Sequence, residues 1–193
     1  MRKPGVVFAR FQILHLKQME YILAAKMRCN KLYIGITHPD IMQYASTMTH
    51  DTHGIVRRDN PLTYIERFEM ILRAMTEFGV KRDEFEIIPF PISQPDVLDQ
   101  YTPKHAVYYL NVTTPWDAER MQVLENLNLK TEILWRKSEE ERGINGNRIR
   151  ALIVESGDWE QYVPKSVASY LKEERIDERI RELHYHFVEH PEE

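Results

Sequence analysis

The chain has 193 residues, with 26 Lys and Arg against 30 Asp and Glu, 42% hydrophobic and 29% charged residues. A net charge of −4 on so ordinary a composition excludes a disordered chain and a general polyanion binder, and leaves one domain with a small appendage. Lone Cys29 excludes an internal disulfide, no run approaches the ~18 apolar residues of a membrane helix, and Val6-Val7-Phe8-Ala9 is too short for a signal-peptide core of about 7 to 15 residues. The expectation is a soluble cytoplasmic protein that engages neither membrane nor nucleic acid.

No repeat at a period of about 20 to 50 residues is present. Pro4-Gly5 opens a short apolar run, 6–11, which reads as a buried strand. Leu16, Met19, Ile22, Leu23, Ala24 and Met27 then keep helical spacing over 16–28, and 31–37 (KLYIGIT) is a second strand closed by His38-Pro39-Asp40. Residues 41–60 have no period and read as a long loop. Pro61 opens a helix in which Leu62, Ile65, Phe68, Ile71, Leu72 and Met75 hold a 3.6 period, ended by Gly79. FEIIPF at 85–90 is the third strand, and 91–104, with its prolines, a loop holding at most one helical turn. Strand four is 106–110, followed by a helix over 116–127, and strand five is 131–135. Helices over 146–156 and 164–183 close the chain.

Five strands alternating with helices predict an α/β fold, a Rossmann-like doubly wound parallel sheet with a short helical C-terminus. Residues 1–160 would form that domain and 161–193 its helical extension. Ligands of such sheets sit beyond the carboxyl ends of the strands, at the reversal in strand order. Chemistry is therefore expected just after strands one, two, four and five.

The first strand runs into Ala9-Arg10-Phe11-Gln12-Ile13-Leu14-His15-Leu16-Lys17-Gln18. This resembles the H-x-G-H signature of the nucleotidyltransferase superfamily. More narrowly it is similar to the G-R-[FM]-Q-P-F-H-x-G-H run of archaeal-type nicotinamide-mononucleotide adenylyltransferases. Arg10, Phe11, Gln12 and His15 match; Ala9, Ile13, Lys17 and Gln18 stand where the family has Gly, Pro, Gly and His. Asp59-Asn60-Pro61-Leu62-Thr63-Tyr64-Ile65-Glu66-Arg67 resembles the N-P-[FL]-T-x-x-E-R opening of the family's second helix, and Ile144-Asn145-Gly146-Asn147-Arg148-Ile149-Arg150 its late I-S-x-T-x-[IV]-R block. Gly157-Asp158-Trp159 and Val163-Pro164 follow the family's C-terminal stretch.

The resemblance implies transfer of a nucleotidyl group from a nucleoside triphosphate to a small phosphate-bearing acceptor, with release of pyrophosphate. Such chemistry needs charge stabilisation on the phosphates and in-line placement of the acceptor, with little covalent work for the protein. His15, Gln18, Lys17 and Arg150 form the implied phosphate clamp. The 145–147 stretch (Asn145, Gly146, Asn147) opens a helix whose N-terminus favours anions. Gln18 donates a hydrogen bond but carries no charge; Lys17 either supplies that charge or blocks the nucleotide. Arg10, Phe11, Gln12, Asn111 and Tyr101 are the implied substrate-binding residues. Mg²⁺ would bridge triphosphate oxygens with few protein ligands, so no protein metal cage is expected.

The acceptor stays open. The archaeal-type enzymes hold the nicotinamide with an acid and a Trp after strand three, whereas 91–101 here has no Trp and no acid directly after the strand. Relatives of the fold transfer CMP to small phosphonates, so a cytidylyltransferase is one alternative and a non-catalytic nucleotide-binding module another. A homo-oligomer is compatible with the resemblance. His50-Asp51-Thr52-His53 lacks a third metal ligand and reads as a polar loop. Glu66 and Arg67 read as a structural pair or cap, Trp116 and Trp159 as packing residues, and Cys29 as structural.

Overall fold

The computed structural model describes residues 2–39, 59–136, 138, 141 and 143–189, and in addition leaves the side chains of Trp116 and 187–189 undescribed. The 41–60 loop, apart from Asp59 and Asn60, and the His50–His53 cluster lie outside the described residues. The chain divides into two compact units: Met1–Arg10, Lys17–Pro39 and Gly79–Gly143 in the first, and Phe11–Leu16, Asp40–Phe78 and Ile144–Glu193 in the second. The 160/161 division read from sequence falls inside the second unit. No helix of the described residues is long and apolar enough to cross a membrane.

The first unit holds an all-parallel sheet: β1 (Gly5–Ala9), β2 (Leu32–Thr37), β3 (Phe85–Phe90), β4 (Val107–Val112) and β5 (Lys130–Arg136), in the order β3-β2-β1-β4-β5. This is the predicted Rossmann-like α/β fold. Strand order reverses between β1 and β4. On one face Val6, Phe8, Phe90, Tyr108 and Leu110 cluster with Leu98 of the β3–β4 crossover and Leu124 of α3 (Pro115–Asn126). Gly35 makes that face possible: a Cβ there would stand 2.7 Å from Phe90, whose ring crosses β2 to stack on Phe8 at 4.4 Å. The opposite face receives α1 (Leu16–Lys26). Its Tyr21 hydroxyl donates to the Tyr109 carbonyl at 2.6 Å, and Cys29 packs where a Cβ on Gly5 would fall 2.9 Å away. Burial raises the pKa of the Cys29 thiol, which fits a structural role.

The crossover contains a 3₁₀ helix, Pro95–Gln100, longer than the single turn expected. Three prolines steered the sequence reading to a loop, yet Pro95 sits at the first helical position, where no N–H is needed.

The second unit packs α2 (Tyr64–Glu77), α4 (Gly146–Val154), α5 (Lys165–Glu173) and α6 (Ile176–Glu189). Pro61 does not open α2. Thr63 caps it three residues before Glu66: the Glu66 N–H donates to Thr63 Oγ1 at 3.3 Å, and the Thr63 N–H to Glu66 Oε2 at 2.8 Å. Met70, Ile71, Ala74 and Met75 bury one face of α2. The 164–183 helix of the sequence reading is two helices, because Arg175 adopts φ +54° between α5 and α6. Pro164 offers α5 no side-chain cap. Glu77 does so instead, its two oxygens accepting from the N–H groups of Lys165 and Ser166 at 3.1 and 2.8 Å. Glu66 is also gripped bidentately by Arg179 of α6, at 2.9 and 2.7 Å. Burial pushes the Glu66 carboxyl up, but the bonds from Arg179 and Thr63 outweigh it and hold the group below the usual carboxylate range. The capping reading of Glu66 agrees with this geometry.

Candidate active site

In the second unit, 11–16 is a short buried segment that α2 and α4 hold in place. Phe11 is fully buried with φ +53°, so its ring serves packing. Gln12 is 4% exposed and its side-chain amide is used at both ends. Nε2 donates to the Leu62 carbonyl and Oε1 accepts from the Leu62 N–H, each at 2.9 Å. The amide thus mimics a strand partner for one backbone residue, and neglecting either bond would leave a buried polar group unmet. Leu14 donates its N–H to Met70 Sδ at 3.4 Å. His15 closes the segment, buried at 7% exposure, one residue before α1 begins.

The N-terminus of α4 lies against the same segment. A Cβ on Gly146 would stand 2.8 Å from the Gln12 carbonyl oxygen and 3.3 Å from its carbon. Only glycine permits that approach. Asn145 is the N-cap, its Oδ1 accepting from the Arg148 N–H at 3.0 Å. That leaves the first-turn N–H groups of Gly146 and Asn147 at the positive end of the helix. Arg150, 7% exposed, donates from Nη1 to the Gln12 carbonyl and from Nη2 to Asn147 Oδ1 at 2.9 Å; Asp59 Oδ1 lies 3.6 Å from Nη2. Gln12, Asn145, Gly146, Asn147 and Arg150, scattered in sequence, are therefore brought together. Gln12 and Asn145 are engaged by their own chain, and Arg150 braces the segment that ends in His15.

In the first unit the carboxyl ends of β1 and β4 separate. The two strands pair only at Gly5↔Val107 and Val6↔Tyr108, while β1 and β2 stay paired through Ala9↔Ile36. The sheet therefore splits where strand order reverses. Tyr21 stands in the split, donating to the Tyr109 carbonyl while its oxygen also faces the Phe8 backbone amide. Burial drives its pKa far up, so it remains a neutral hydroxyl. Beyond it, a register shift between Leu110 and Asn111 turns the end of β4, and the buried Asn111 Oδ1 has no hydrogen-bond partner among the described residues. An unmet buried acceptor beside a sheet split is a place for a ligand donor. Arg10 follows the end of β1 and is half-buried.

The Lys17 ammonium is on Glu20 at 2.8 Å, on the exposed side of α1, and its stem lies 3.6 Å from where a Gly143 Cβ would be. Gln18, next along α1, is half-buried. Tyr101 caps the 3₁₀ helix of the crossover and is 40% exposed, on the segment leading into the start of β4. It is thus not among the groups at a strand's carboxyl end. The Trp116 side chain lies outside the described set. Sequence reasoning passed over three polar positions: Thr37 and His38, buried at the carboxyl end of β2, and Asp59 beside Arg150. His38-Pro39-Asp40 had served only to close the strand. Among the described residues no three His, Cys, Asp or Glu side chains gather to hold a metal ion.

No family model matches the sequence. Over 177 residues, 92% of this chain and 95% of the relative, it is 40% identical to a phosphonoformate cytidylyltransferase of Streptomyces viridochromogenes. The chain belongs to the nucleotidyltransferase family. This nucleotidyltransferase is also 30% identical to a nicotinamide-nucleotide adenylyltransferase of Pyrococcus furiosus, across 94% of this chain and 89% of the relative. In fold it matches a bifunctional NMN adenylyltransferase/ADP-ribose pyrophosphatase of Francisella tularensis with a TM-score of 0.68 and 13% identity; the match covers 98% of this chain and 55% of that one. The chain spans about half the length of that two-function protein. A putative nicotinate-nucleotide adenylyltransferase of Vibrio parahaemolyticus matches with a TM-score of 0.52. The superfamily resemblance and the reaction class read from sequence are both borne out, and the chain is an enzyme of the nucleotidyltransferase type.

Proposed function

We propose that this nucleotidyltransferase transfers CMP from CTP to a small phosphonate such as phosphonoformate, releasing pyrophosphate. A phosphonate oxygen attacks the α-phosphorus, a new P–O–P link forms, and the bond to the bridging α–β oxygen breaks. Both of its electrons leave with pyrophosphate. The observation that carries the substrate choice is 40% identity to a phosphonoformate cytidylyltransferase over nearly its whole length, against 30% to an archaeal adenylyltransferase. The lack of a Trp after β3 in 91–101 points the same way.

In this reading His15, the first-turn N–H groups of Gly146 and Asn147, and the positive charge of the Arg150 guanidinium hold the triphosphate charge. Gln18 supplies a neutral donor. Lys17, paired with Glu20, contributes at most a screened positive charge. Asn111 Oδ1 accepts from the cytosine amine or the ribose, and Arg10 offers charge to the acceptor anion. Gln12 and Phe11 act as supports rather than substrate contacts. Mg²⁺ would enter as part of the nucleotide substrate. The buried thiol of Cys29 suits the cytoplasm.

The test is pyrophosphate release with Mg²⁺ across ATP, CTP, GTP and UTP, each with phosphonoformate, simpler phosphonates and nicotinamide mononucleotide. Release needing both CTP and a phosphonate is expected. Release needing ATP and nicotinamide mononucleotide would replace the substrate assignment while keeping the reaction class.

A further inference from the structure

The opposite end of the sheet in the first unit carries a second cavity, of about 590 Å³. That size falls within the range of about 300–1,000 Å³ usual for small-molecule sites. Its floor is apolar: Leu98, Ala106 and Tyr108 are almost fully buried, and Leu127 and Leu129 close one side. The hydroxyls on its wall are already satisfied. Tyr108 donates to Thr102 Oγ1 at 2.8 Å, and Thr102 donates onward to the Leu98 carbonyl at 2.8 Å.

Its mouth is basic for a topological reason. Gly5, Val107 and Lys130 are in register across β1, β4 and β5. Lys3 and Lys104 precede the first two strands by a few residues, and Lys130 begins the third. All three line the cavity. Adjacent strands are about 4.8 Å apart, so the neighbouring strand starts bring the three lysines to the same end of the sheet. Elsewhere Lys17, Lys26, Lys31 and Lys172 each sit on a glutamate. Lys3, Lys104 and Lys130 have no ion pair among the described residues. Asp96 and Asp99 of the crossover helix also line the cavity. The lining charge is thus three lysines minus two aspartates, or +1. A ligand carrying a single anionic group is favoured.

We propose that this cavity binds a small amphipathic organic anion: an aromatic or aliphatic body on the leucine floor, with one carboxylate, sulfonate or phosphonate group on the lysines. It is separate from the split at the carboxyl ends of β1 and β4, because its lining residues precede or open β1, β4 and β5.

The probe is 8-anilinonaphthalene-1-sulfonate, titrated by fluorescence into the full chain. Saturable binding of one probe per chain is expected, unchanged by CTP with Mg²⁺. The Lys104→Gln/Lys130→Gln double variant alters only exposed side chains and keeps its melting temperature. It should weaken binding at least tenfold, and Leu129→Trp should fill the cavity and do the same. If Leu129→Trp fails to fold, the lysine pair decides alone. Affinity unchanged in the double variant, displacement by CTP, or binding of many probes per chain would overturn the proposal. So would a change of mass in light scattering for Leu129→Trp, since the cavity would then be a contact between copies of this chain.

Discussion

Replacing Gly146 with alanine sets two physical effects against each other. Helix propensity alone favours alanine by up to about 1 kcal/mol, and somewhat less in the first turn. The new Cβ, however, would stand 2.8 Å from the Gln12 carbonyl oxygen where ordinary contact begins at 3.4 Å, so 3.4 − 2.8 = 0.6 Å must be found. The neighbour is backbone, already fixed by Arg150 and by the two Gln12–Leu62 bonds, so it gives little. Overpacking of this kind costs about 1–3 kcal/mol, leaving a net loss of about 1–2 kcal/mol. For a chain this long that is a fall in Tm of about 2–8 °C. The displacement moves the α4 N-terminus relative to the segment ending in His15. Misplacement approaching 1 Å costs about 10²-fold, so kcat/KM for pyrophosphate release should fall at least ~10-fold. Differential scanning fluorimetry and a coupled pyrophosphate assay read the two effects. A variant with raised Tm and wild-type turnover would refute this reasoning, because propensity would then be the only effect acting.

Gln12→Glu is isosteric but removes the donor to the Leu62 carbonyl, and should cost about 2–3 kcal/mol at pH 8 by urea titration, less at pH 5 where the protonated acid donates again. Glu66→Gln should cost about 1–2 kcal/mol, between an exposed and a buried pair. Because the wild-type Glu66 carboxyl is held below its usual range, its contribution is fully present above the unfolded-state value of about 4.3 and fades as pH falls through the folded value; the variant's deficit should shrink along the same acid limb. His15→Ala should lower kcat by about 2–4 kcal/mol of transition-state stabilisation, and an unchanged kcat would remove His15 from the mechanism. Asn111→Leu should raise a substrate KM about tenfold while stabilising the free protein, since it removes an unmet buried acceptor; unchanged KM would detach Asn111 from the site.

The parallel sheet was legible because each strand is a compact apolar run between turn residues, and FEIIPF at 85–90 matches β3 residue for residue. The start of α2 was misread even though Thr63 and Glu66 carry the capping-box spacing, because Pro61 suggested an earlier first turn. The break between α5 and α6 had no glycine to mark it: Arg175 takes the left-handed conformation itself. Motif resemblance singles out Arg150, Gly146 and Gln12 as candidates, but their mutual packing is not in it. Arg150 and Gln12 are 138 residues apart, and only the folded chain shows the guanidinium bracing the Gln12 backbone. The split between β1 and β4 begins where their pairing stops after Val6↔Tyr108, with the Tyr21 hydroxyl on the Tyr109 carbonyl, and no single stretch of sequence carries it.

The central claim is attack at the α-phosphorus, and ³¹P NMR of a single reaction with CTP, Mg²⁺ and a small phosphonate tests it most directly. The account predicts equal amounts of pyrophosphate and a new anhydride in which the CMP phosphate is joined to the phosphonate. Formation of CDP with orthophosphate, or of a product phosphorylated from the γ-position, would contradict it.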